Sequence, residues 1–519
     1  ALRSSISSRC SVQTADMSGH MTLGVDFGGS SSKATLLDCE GKILATSTQE
    51  YPCYFPEHGW AEYDAQDLYR AFVYNIRECL AKSGVSGKDI SAIALDAAPH
   101  MAVFCGKDDK PLRRIIHWSD NRSSEQVRYL KENCADVIKS FCVNSPSPAW
   151  TLPQIMWLNE HEPEVIKNTK RIYFAKDYIR HMITGDFLTD SIEAMGPMLA
   201  NDYTGQWSEQ LCELGRVDVS MLPEIKQPTD IAGYVCARTA AETGLSVKTP
   251  VIVGSTDTVL EIYASGAIKQ GYATVKLATA GRICPITDHA IDNFQFFNYR
   301  HIIPGLWYPG TTSRTCAASY KWYRDVFGTS EAEYAQQQNT SAYEILNRAA
   351  EEVAPGSEGL FFHPYLQGEL TPYYDDSLRA SFTGMSMHHT KGHFSRAVME
   401  GISYSMRDCL EEVKAQNIDI TQYRIIGGGA KGKLWRQILC DILATPLTCT
   451  IDNDSSLGSA MLAGVAVGMF GSFEESVERC VKVADEVTPI PENVRIYDDG
   501  FRIYREIEEA MAPVYRRMK

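Results

Sequence analysis

Two short segments of glycine and small residues, about 250 residues apart, constrain the fold of this 519-residue chain most strongly. The first, in LGVDFGGSSSKATLLD, interrupts an apolar run that begins at Met21. The second, in YATVKLATAGRICPIT, interrupts a similar run that begins at Tyr272. Apolar runs separated by small turn residues predict β-hairpins. A β-meander is therefore expected near the start of each half of the chain.

Elsewhere, apolar strand patterns alternate with helical ones. Apolar residues at helical spacing predict helices over residues 64–82, 391–416 and 433–443, and the runs between them predict buried strands. Such alternation is typical of α/β layers. We place a domain boundary near residue 268. Since no low-complexity linker is visible there, the two lobes are expected to touch and hinge.

Residues 1–20 differ from the rest of the chain. They are rich in Ser, have no apolar core and precede the first strand pattern. The apolar segment of a secretory signal is missing. We expect a disordered leader or an expression-vector segment, and the fold is argued without it.

Composition excludes several classes of partner. The formal net charge is −15 and no long basic run occurs, which argues against nucleic acid or an anionic membrane as the main partner. No apolar run approaches the roughly 18 residues of a membrane helix. The 15 cysteines are scattered without a C-x-x-C pair, as expected of reduced thiols in a cytoplasmic protein. His388, His389 and His393 are close in sequence but lack cysteine partners, so a metal site is not expected there.

The first turn carries chemistry as well as shape. Bare glycines at Gly28 and Gly29 let backbone N–H groups approach phosphate oxygens, and Ser30 adds a hydroxyl donor. Asp26, at the end of the strand, could hold a water molecule on Mg²⁺. The alternative is a plain hairpin turn. The G-x-G-x-x-G pattern of dinucleotide sites is absent, and a strand follows instead of a helix.

Two later turns are also rich in small residues. Residues 277–281, LATAG, could face the first turn and clasp a triphosphate, or could be a simple hairpin. Residues 427–434, GGGAKGKL, fail the P-loop pattern at Leu434, where a hydroxyl should bind Mg²⁺. Their backbone could still lie flat on a purine. The alternative is a strand-to-helix turn.

Asp257 ends an apolar strand beside small residues, in GSTDT. A sugar hydroxyl attacks a phosphoryl group more readily when a carboxylate accepts its proton, so Asp257 is a candidate base. The alternative is a helix N-cap.

Further polar residues in the first half suit a polyhydroxylated ligand. They are Pro99-His100, residues 117–122 (HWSDNR) and Lys176-Asp177. The alternatives are a satisfied core histidine and an Asp120–Arg122 pair at the surface.

In kind and order, these segments resemble the FGGY family of carbohydrate kinases, and within it the xylulokinases, over residues 21 to about 510. The resemblance is carried by LGVDFGGSSSKATLLD, IIHWSDNRS, YFAKDYIRHMITGDF, VGSTDT, PYLQGELTP, FSRAVMEGISYSMRD and GGGAKGKLWRQILCDI. It implies an α/β fold of two actin/hexokinase-like (ribonuclease H-like) lobes with the active-site cleft between them. Residues 21–268 would form the sugar-binding lobe. Residues 269–519 would form the ATP-binding lobe, with a last helix able to return to the first lobe.

The resemblance also implies roles for single residues. Asp257 would be the catalytic base, and Asp26 would hold Mg²⁺ through water. Pro99, His100, Asp257 and Thr258 would contact the sugar. The ATP-binding set would be Gly28, Gly29, Ser30, Lys33, Thr279, Gly281, Ala317, Trp322, Gly428, Gly429 and Lys433.

The expected activity is ATP-dependent phosphorylation of a ketopentose such as D-xylulose, giving the 5-phosphate. Departures from the xylulokinase pattern concern the sugar pocket: Pro99 replaces Met, Ala97-Ala98 replace Gly-Gln, Gln154 replaces Lys, and LATAG replaces LGTSG. IIHWSDNRS is also similar to gluconate kinases, so gluconate, ribulose or a polyol are alternative substrates. A nucleotide-dependent regulator of the same fold would be expected to have a damaged base or phosphate turn, and an actin-like filament protein would need a self-association surface. A homodimer is compatible with the sequence.

Overall fold

The computed structural model describes residues 20–518, which form two lobes, each built on one mixed β-sheet. The strands contributed by the first half are β1 (Met21–Phe27), β2 (Ser31–Asp38), β3 (Ile43–Glu50), β4 (Glu62–Tyr63), β5 (Ile90–Ala97), β6 (Ala102–Cys105), β7 (Ile115–Ile116), β8 (Arg171–Phe174), β9 (Leu188–Asp190), β10 (Ala200–Asn201), β11 (Gln206–Trp207), β12 (Glu224–Lys226), β13 (Ile231–Tyr234), β14 (Pro250–Ile252) and β15 (Ser255–Thr256). The helices of this half are α1 (Ala65–Ser83), α2 (Ser124–Asn133), α3 (Ala135–Phe141), α4 (Thr151–His161), α5 (Pro163–Asn168), α6 (Ala175–Thr184), α7 (Glu209–Gly215), α8 (Ala237–Thr243) and α9 (Asp257–Ala264).

The second half supplies fewer strands and longer helices. Its strands are β16 (Tyr272–Leu277), β17 (Gly281–Pro285), β18 (Thr311–Ser313), β19 (Phe361–His363), β20 (Ser381–Thr383), β21 (Gln422–Ile426), β22 (Leu447–Thr450) and β23 (Val483–Val487). Its helices are α10 (Ala317–Phe327), α11 (Thr329–Gln337), α12 (Ala342–Glu351), α13 (Lys391–Lys414), α14 (Lys433–Leu443), α15 (Ser455–Ala466), α16 (Phe473–Cys480) and α17 (Pro491–Tyr515).

The two main sheets have the same topology. The first runs β3-β2-β1-β5-β14-β13, and the second runs β18-β17-β16-β21-β22-β23. In each sheet an antiparallel meander of three strands is followed by two parallel strands and one antiparallel edge strand. The two predicted hairpins and the two-lobed α/β fold are therefore confirmed. The weak sequence similarity between the two meanders corresponds to a repeated sheet.

Local chemistry explains where the predicted helices begin and end. Asp64 caps α1 by accepting a hydrogen bond from the Gln66 N–H at 2.8 Å. The same helix ends at Gly84, whose φ of 71° favours glycine. One face of α1, including Phe72 and Ile76, is fully buried against the first sheet. The prediction for residues 64–82 is thus correct to within one residue at each end.

One helix of the second half crosses to the first lobe. Helix α15 packs on β1, β2, β5 and α9. Its approach is close, because a Cβ atom at Gly24 would lie 1.9 Å from the Ser456 carbonyl oxygen, and one at Gly458 would lie 2.1 Å from the Leu260 carbonyl oxygen. The last helix, α17, packs on α13 and α14 of the second lobe. The sequence analysis allowed the last helix to return to the first lobe, whereas in the structure α15 packs there, and its small side chains allow the close contact.

Three expectations drawn from composition, on membrane helices, cysteines and histidines, can be compared with the structure. None of the helices within residues 20–518 is long and apolar enough to cross a membrane. Cysteines such as Cys53, Cys79 and Cys105 are free thiols in the structure. His388, His389 and His393 cluster near Glu358, but no set of three or more potential metal-ligating side chains in the described chain is arranged around one ion.

Candidate active site

A cavity of about 430 Å³ between the lobes collects residues from both halves of the chain. The first half contributes Gly29, Ala98, Pro99, His100, Trp118, Ser147, Ala149, Trp150, Asp257 and Thr258. The second half contributes Lys276, Ala278, Thr279, Ala280, Arg282, Phe297, Tyr299 and Tyr308. Both small-residue turns and the candidate base therefore open onto the same cavity.

The turn between β1 and β2 is held from behind by two tyrosines. The Tyr51 hydroxyl donates to the Gly28 carbonyl, and the Tyr63 hydroxyl donates to the Gly29 carbonyl at 2.7 Å. Gly29 and Ser30 are exposed, and their N–H groups have no acceptor within the described chain. Two rigidly held backbone donors are thus directed at solvent, an arrangement suited to phosphate oxygens.

Lys33, predicted to bind phosphate, is paired with an acid that the sequence did not single out. Its Nζ atom lies 2.6 Å from Asp454 Oδ2. Asp454 is also the N-cap of α15, accepting from the Leu457 N–H at 3.3 Å. Burial acts to raise the pKa of Asp454, but the Lys33 ammonium, together with hydrogen bonds from Ser456 and Leu457, lowers it below its usual value. In the sequence, an aspartate before a helix of small residues indicates only a helix N-cap. The contact between Asp454 and Lys33, which links the two lobes, could therefore not be predicted.

Three carboxylates lie at the carboxyl ends of adjacent strands. Asp26 on β1 is directly opposite Asp96 on β5, and Asp96 is opposite Ser255, two residues before Asp257. Asp96 is fully buried and accepts a hydrogen bond from the Ser459 hydroxyl at 2.5 Å. The pKa of Asp26 is raised to about 7, mainly by burial; a hydrogen bond to Asp96 opposes this rise, and the nearby charge of Asp257 adds to it. Carboxyl groups are therefore concentrated at this edge of the sheet.

This carboxylate group fits a magnesium ion held through water molecules. Within residues 20–518 the acids are too far apart for three of them to ligate one ion directly. Mg²⁺ usually keeps several waters and uses only one or two protein carboxylates, so direct ligation by three is not required. Asp96 Oδ1 is buried without a hydrogen-bond partner, and a bound water could supply one. Asp26 and Asp257 are the candidates to hold the hydrated ion.

Asp257 is the first residue of α9 and lines the cavity. Its Oδ1 atom accepts from the Thr258 N–H at 2.6 Å and from the Thr258 hydroxyl at 3.1 Å. No donor in the described chain contacts Oδ2. The N-cap position belongs to Thr256, so Asp257 is not the helix cap. The Oδ2 atom is therefore the one able to accept a proton.

The second turn is built into the core of its lobe. The Ala278 carbonyl accepts a hydrogen bond from the Ala317 N–H at 2.7 Å, which ties the turn to the start of α10. A Cβ atom at Gly281 would lie 2.3 Å from Met406 Sδ, so this position has no room for a side chain. Thr279 lies between these two points and lines the cavity. The turn thus presents its hydroxyl residue while its neighbours are fixed.

The glycine turn after β21 packs on the second turn. Gly427 has φ 91°, and a Cβ there would lie 2.6 Å from the Leu277 carbonyl oxygen. A Cβ at Gly429 would lie 2.9 Å from Leu277 Cβ, whereas Gly428 has open space around it. Lys433 is exposed and is the first residue of α14. A flat, open backbone surface therefore adjoins the phosphate turn, as a purine site would require.

Trp322 is less closely connected to this region. It lies on α10 and packs edge-on against Phe327, with ring centroids 5.5 Å apart. Ala317 is hydrogen-bonded to the second turn, but Trp322 packs within its own helix.

His100 is fixed on every side at the other end of the cavity. Its φ is 73°, rare for a residue with a side chain. Its N–H donates to Glu193 Oε1 at 2.8 Å, and its carbonyl accepts from the Thr151 hydroxyl at 2.8 Å. The ring contacts Trp150 at a centroid distance of 4.2 Å, and Nε2 lies 2.9 Å from the Tyr299 hydroxyl. Burial lowers the pKa of His100 well below its usual value, so the ring is neutral.

A buried ionic network supports His100 from behind. The Lys176 ammonium lies 2.5 Å from Asp177 and 2.8 Å from Asp190, and all three side chains are fully buried. Asp190 also accepts from the Ser255 hydroxyl at 2.9 Å, just before the candidate base. Lys176 and Asp177, singled out in the sequence as possible ligand contacts, therefore support the site and do not line the cavity.

Within residues 117–122, some side chains also line the cavity while others support the lobe from inside. Trp118 lines the cavity and its side chain is 45% exposed. Arg122 pairs with Asp120 at 2.8 Å and with Glu62 at 2.9 Å, inside the lobe. The pairing alternative for Asp120 and Arg122 is therefore correct, although the pair is buried.

The sequence did not single out the cations of the second hairpin. Lys276 on β16 and Arg282 on β17 are cross-strand partners, and both line the cavity. Lys276 forms an ion pair with Glu261 of α9. Strand alternation along the hairpin was the available signal, since it places both side chains on one face.

In a comparison with known proteins, the two halves of the chain match the two domain models of one family. The model described as the FGGY family of carbohydrate kinases, N-terminal domain, matches residues 21–263, and the corresponding C-terminal domain matches residues 279–467. A xylulose kinase of Bacillus subtilis is 31% identical over 493 residues, covering 93% of this chain and 96% of that protein. A gluconokinase of Bacillus subtilis is 28% identical over 503 residues, covering 96% of this chain and 97% of that protein. The crystal structure of a ligand-bound xylulose kinase from Lactobacillus acidophilus superposes with a TM-score of 0.87 at 25% identity, covering 96% of this chain and 100% of that one.

Proposed function

The chain belongs to the FGGY family of carbohydrate kinases, and we propose that it transfers the γ-phosphoryl group of ATP to a sugar hydroxyl with Asp257 as the base. The first candidate acceptor is a ketopentose such as D-xylulose, which would give the 5-phosphate. This choice is supported by the xylulose kinases of about 30% identity.

The observation that carries the proposal is the shared cavity. Gly29 of the first turn, Thr279 of the second and the Asp257 carboxylate line one space of about 430 Å³. Phosphoryl transfer needs little covalent chemistry from the protein, so positioning and charge compensation are the main contributions. Donors from two turns and one base oxygen free of other donors are the parts required.

In the proposed mechanism the acceptor occupies the His100 end and the triphosphate lies between the two turns. The acceptor packs against the neutral His100 ring, whose Nε2 atom is bonded to the Tyr299 hydroxyl, and this contact orients the sugar. The free N–H groups of Gly29 and Ser30 bind phosphate oxygens. Asp257 Oδ2 accepts the proton of the attacking hydroxyl as the new bond to phosphorus forms. Contact between the lobes excludes water, which limits ATP hydrolysis.

Two further groups prepare the phosphate end. Asp26 and Asp257 would hold a hydrated Mg²⁺, which when bound neutralises phosphate charge. Lys33, fixed by Asp454, adds a cation beside the first turn. Gly428, Gly429 and Lys433 would contact the nucleoside.

A second candidate acceptor is a sugar acid such as gluconate. The gluconokinase relative supports it, and so does the cationic side chain of Arg282 in the cavity. A neutral ketopentose offers that guanidinium no counter-charge.

A coupled assay of ADP formation with ATP, Mg²⁺ and single acceptors tests the proposal. The panel comprises D-xylulose, D-ribulose, D-gluconate and a polyol, and phosphorus NMR identifies the product. We expect acceptor-dependent ADP formation with at least one of them and a sugar phosphate as product. ADP formation at the same rate with and without every acceptor would contradict the proposal.

We place this activity in the cytoplasm. ATP is the donor used by the family, and the free thiols found among residues 20–518 suit a reducing compartment.

A further inference from the structure

Two cations stand opposite one another on the second hairpin. Lys276 and Arg282 are register partners on the antiparallel strands β16 and β17, and both line the cavity. Like charges directly opposed across two strands repel each other. The hairpin therefore requires compensating negative charge on this face.

The protein supplies a counter-ion for only one of the two. Glu261 forms an ion pair with Lys276, and both side chains are largely buried. Within residues 20–518, the Arg282 side chain has no ion pair and no hydrogen bond to any group of the protein. Its recorded contact is with the ring of Phe297, whose centroid lies 5.8 Å from the guanidinium carbon. Five N–H donors are therefore unsatisfied by the protein at the wall of a cavity.

The surroundings of Arg282 belong to the acceptor end. Burial is the main cause that lowers the pKa of His100. The charge of Arg282 is the second cause, so the two groups are neighbours. Phe297, under the guanidinium, stacks obliquely with Trp150 at 6.4 Å. The Lys276 ammonium instead feels the charges of Glu261 and Asp257, which places it toward the base. The two cations thus face different parts of the substrates.

We propose that Arg282 binds a carboxylate group of the acceptor, so that the enzyme phosphorylates a sugar acid in preference to the neutral sugar with the same carbon skeleton. This inference rests on the kinase activity proposed above and favours the second candidate acceptor. The planar guanidinium can donate two parallel hydrogen bonds to a carboxylate, and charge-assisted bonds of this kind are stronger than neutral ones. No covalent step is added, because the carboxylate is bound and the reacting hydroxyl remains at Asp257.

Arg282 could instead bind a phosphate group, either on the acceptor or in transit from ATP. Its position beside His100 and Phe297 favours the carboxylate. The experiment separates these occupants, because a cation acting on the transferred phosphoryl group affects all acceptors alike.

The test uses acceptors that differ only in charge. D-gluconate and D-glucitol share one carbon skeleton and differ at C1, where a carboxylate replaces a hydroxymethyl group. Initial rates of ADP formation give kcat/KM for each acceptor with the wild-type protein, R282Q, R282K and R424Q. Arg424→Gln is the matched control, since Arg424 lies on β21 of the same sheet but does not line the cavity.

We expect the wild-type protein to prefer D-gluconate. R282Q should lose about 10- to 100-fold in kcat/KM for D-gluconate and less than about threefold for D-glucitol, because only the acid uses the charge-assisted bonds. R282K should recover part of the loss, and R424Q should resemble wild type.

Three outcomes would overturn the inference. The first is an equal loss of kcat/KM for both acceptors in R282Q, and the second is a wild-type preference for D-glucitol or D-xylulose. The third is tighter binding of D-glucose 6-phosphate, which tests the phosphate alternative, than of D-gluconate. If R282Q does not fold, thermal shifts of the wild-type protein with the same ligands decide the question, since bound ligand raises the melting temperature. Acceptor-dependent ADP formation without an acid preference refutes only the role of Arg282. The absence of acceptor-dependent ADP formation refutes the proposed kinase activity itself.

Discussion

Replacing Gly196 by alanine should damage acceptor binding although Gly196 itself does not line the cavity. Gly196 has φ −66°, which alanine adopts freely, so the change adds only one methyl group. That methyl would lie 1.8 Å from His100 Nδ1 and 2.2 Å from His100 Cε1. Something must move, and the other contacts of the ring restrict where it can go.

The size of the effect follows from these distances. Ordinary contact begins at 3.4 Å, so the ring has to retreat by about 1.6 Å from its present separation of 1.8 Å. Its Nε2 atom is bonded to the Tyr299 hydroxyl at 2.9 Å, and Trp150 lies against its other side. Misplacement of a positioning group by about 1 Å can cost about 100-fold in rate. We therefore expect G196A to lose about 100-fold in acceptor kcat/KM, with KM for ATP nearly unchanged.

Initial rates of ADP formation, with ATP and acceptor varied in turn, measure this effect. Gly106→Ala is the control, because its added methyl would meet only side-chain atoms of Leu112, at 3.3 Å, and Asp108, at 3.6 Å, away from the cavity. Circular dichroism establishes that both variants are folded. An unchanged acceptor KM and kcat in a folded G196A protein would refute the argument that the His100 position governs acceptor binding.

Two further predictions concern stability. G458A should lower the free energy of unfolding by about 1–3 kcal/mol in urea titration, because the added methyl would lie 2.1 Å from the Leu260 carbonyl oxygen; equal stability would show that α15 can move away from α9. Burial raises the pKa of Asp408 from 3.8 to about 8. Between these two pH values the folded protein keeps a proton that the unfolded chain releases. The free energy of unfolding that this carboxyl group contributes therefore falls as pH rises through that range. D408N should therefore lose less unfolding free energy than wild type between pH 6 and pH 8, and parallel losses would contradict this assignment.

The sequence was informative where local pattern decides structure. The hairpins around residues 28–30 and 277–281 follow from apolar runs and small residues, and so does the strand-to-helix turn at Gly427. The family assignment rests on the order of these segments and is confirmed by matches over both halves. The expected roles of the single site residues remain predictions.

Features that depend on contact between distant segments could not be predicted. The return of α15 to the first lobe depends on Gly24 and Gly458, which are 434 positions apart and read as ordinary glycines. Asp454 lies beside the first turn only because α15 brings it to Lys33. In the sequence, Arg282 is simply a polar residue on a predicted strand. Only the fold shows that Glu261 pairs with Lys276, opposite Arg282, and not with Arg282 itself.

The central claim is that the carboxylate of Asp257 accepts the proton of the attacking hydroxyl in the cavity between the two turns. The most direct measurement is single-turnover phosphoryl transfer by D257N, at saturating ATP and the best acceptor, with ligand binding followed by thermal shift. Our account predicts retained binding and a fall of at least about 100-fold in the rate of transfer, since Asn keeps the shape and removes the base. Transfer at close to the wild-type rate would contradict it.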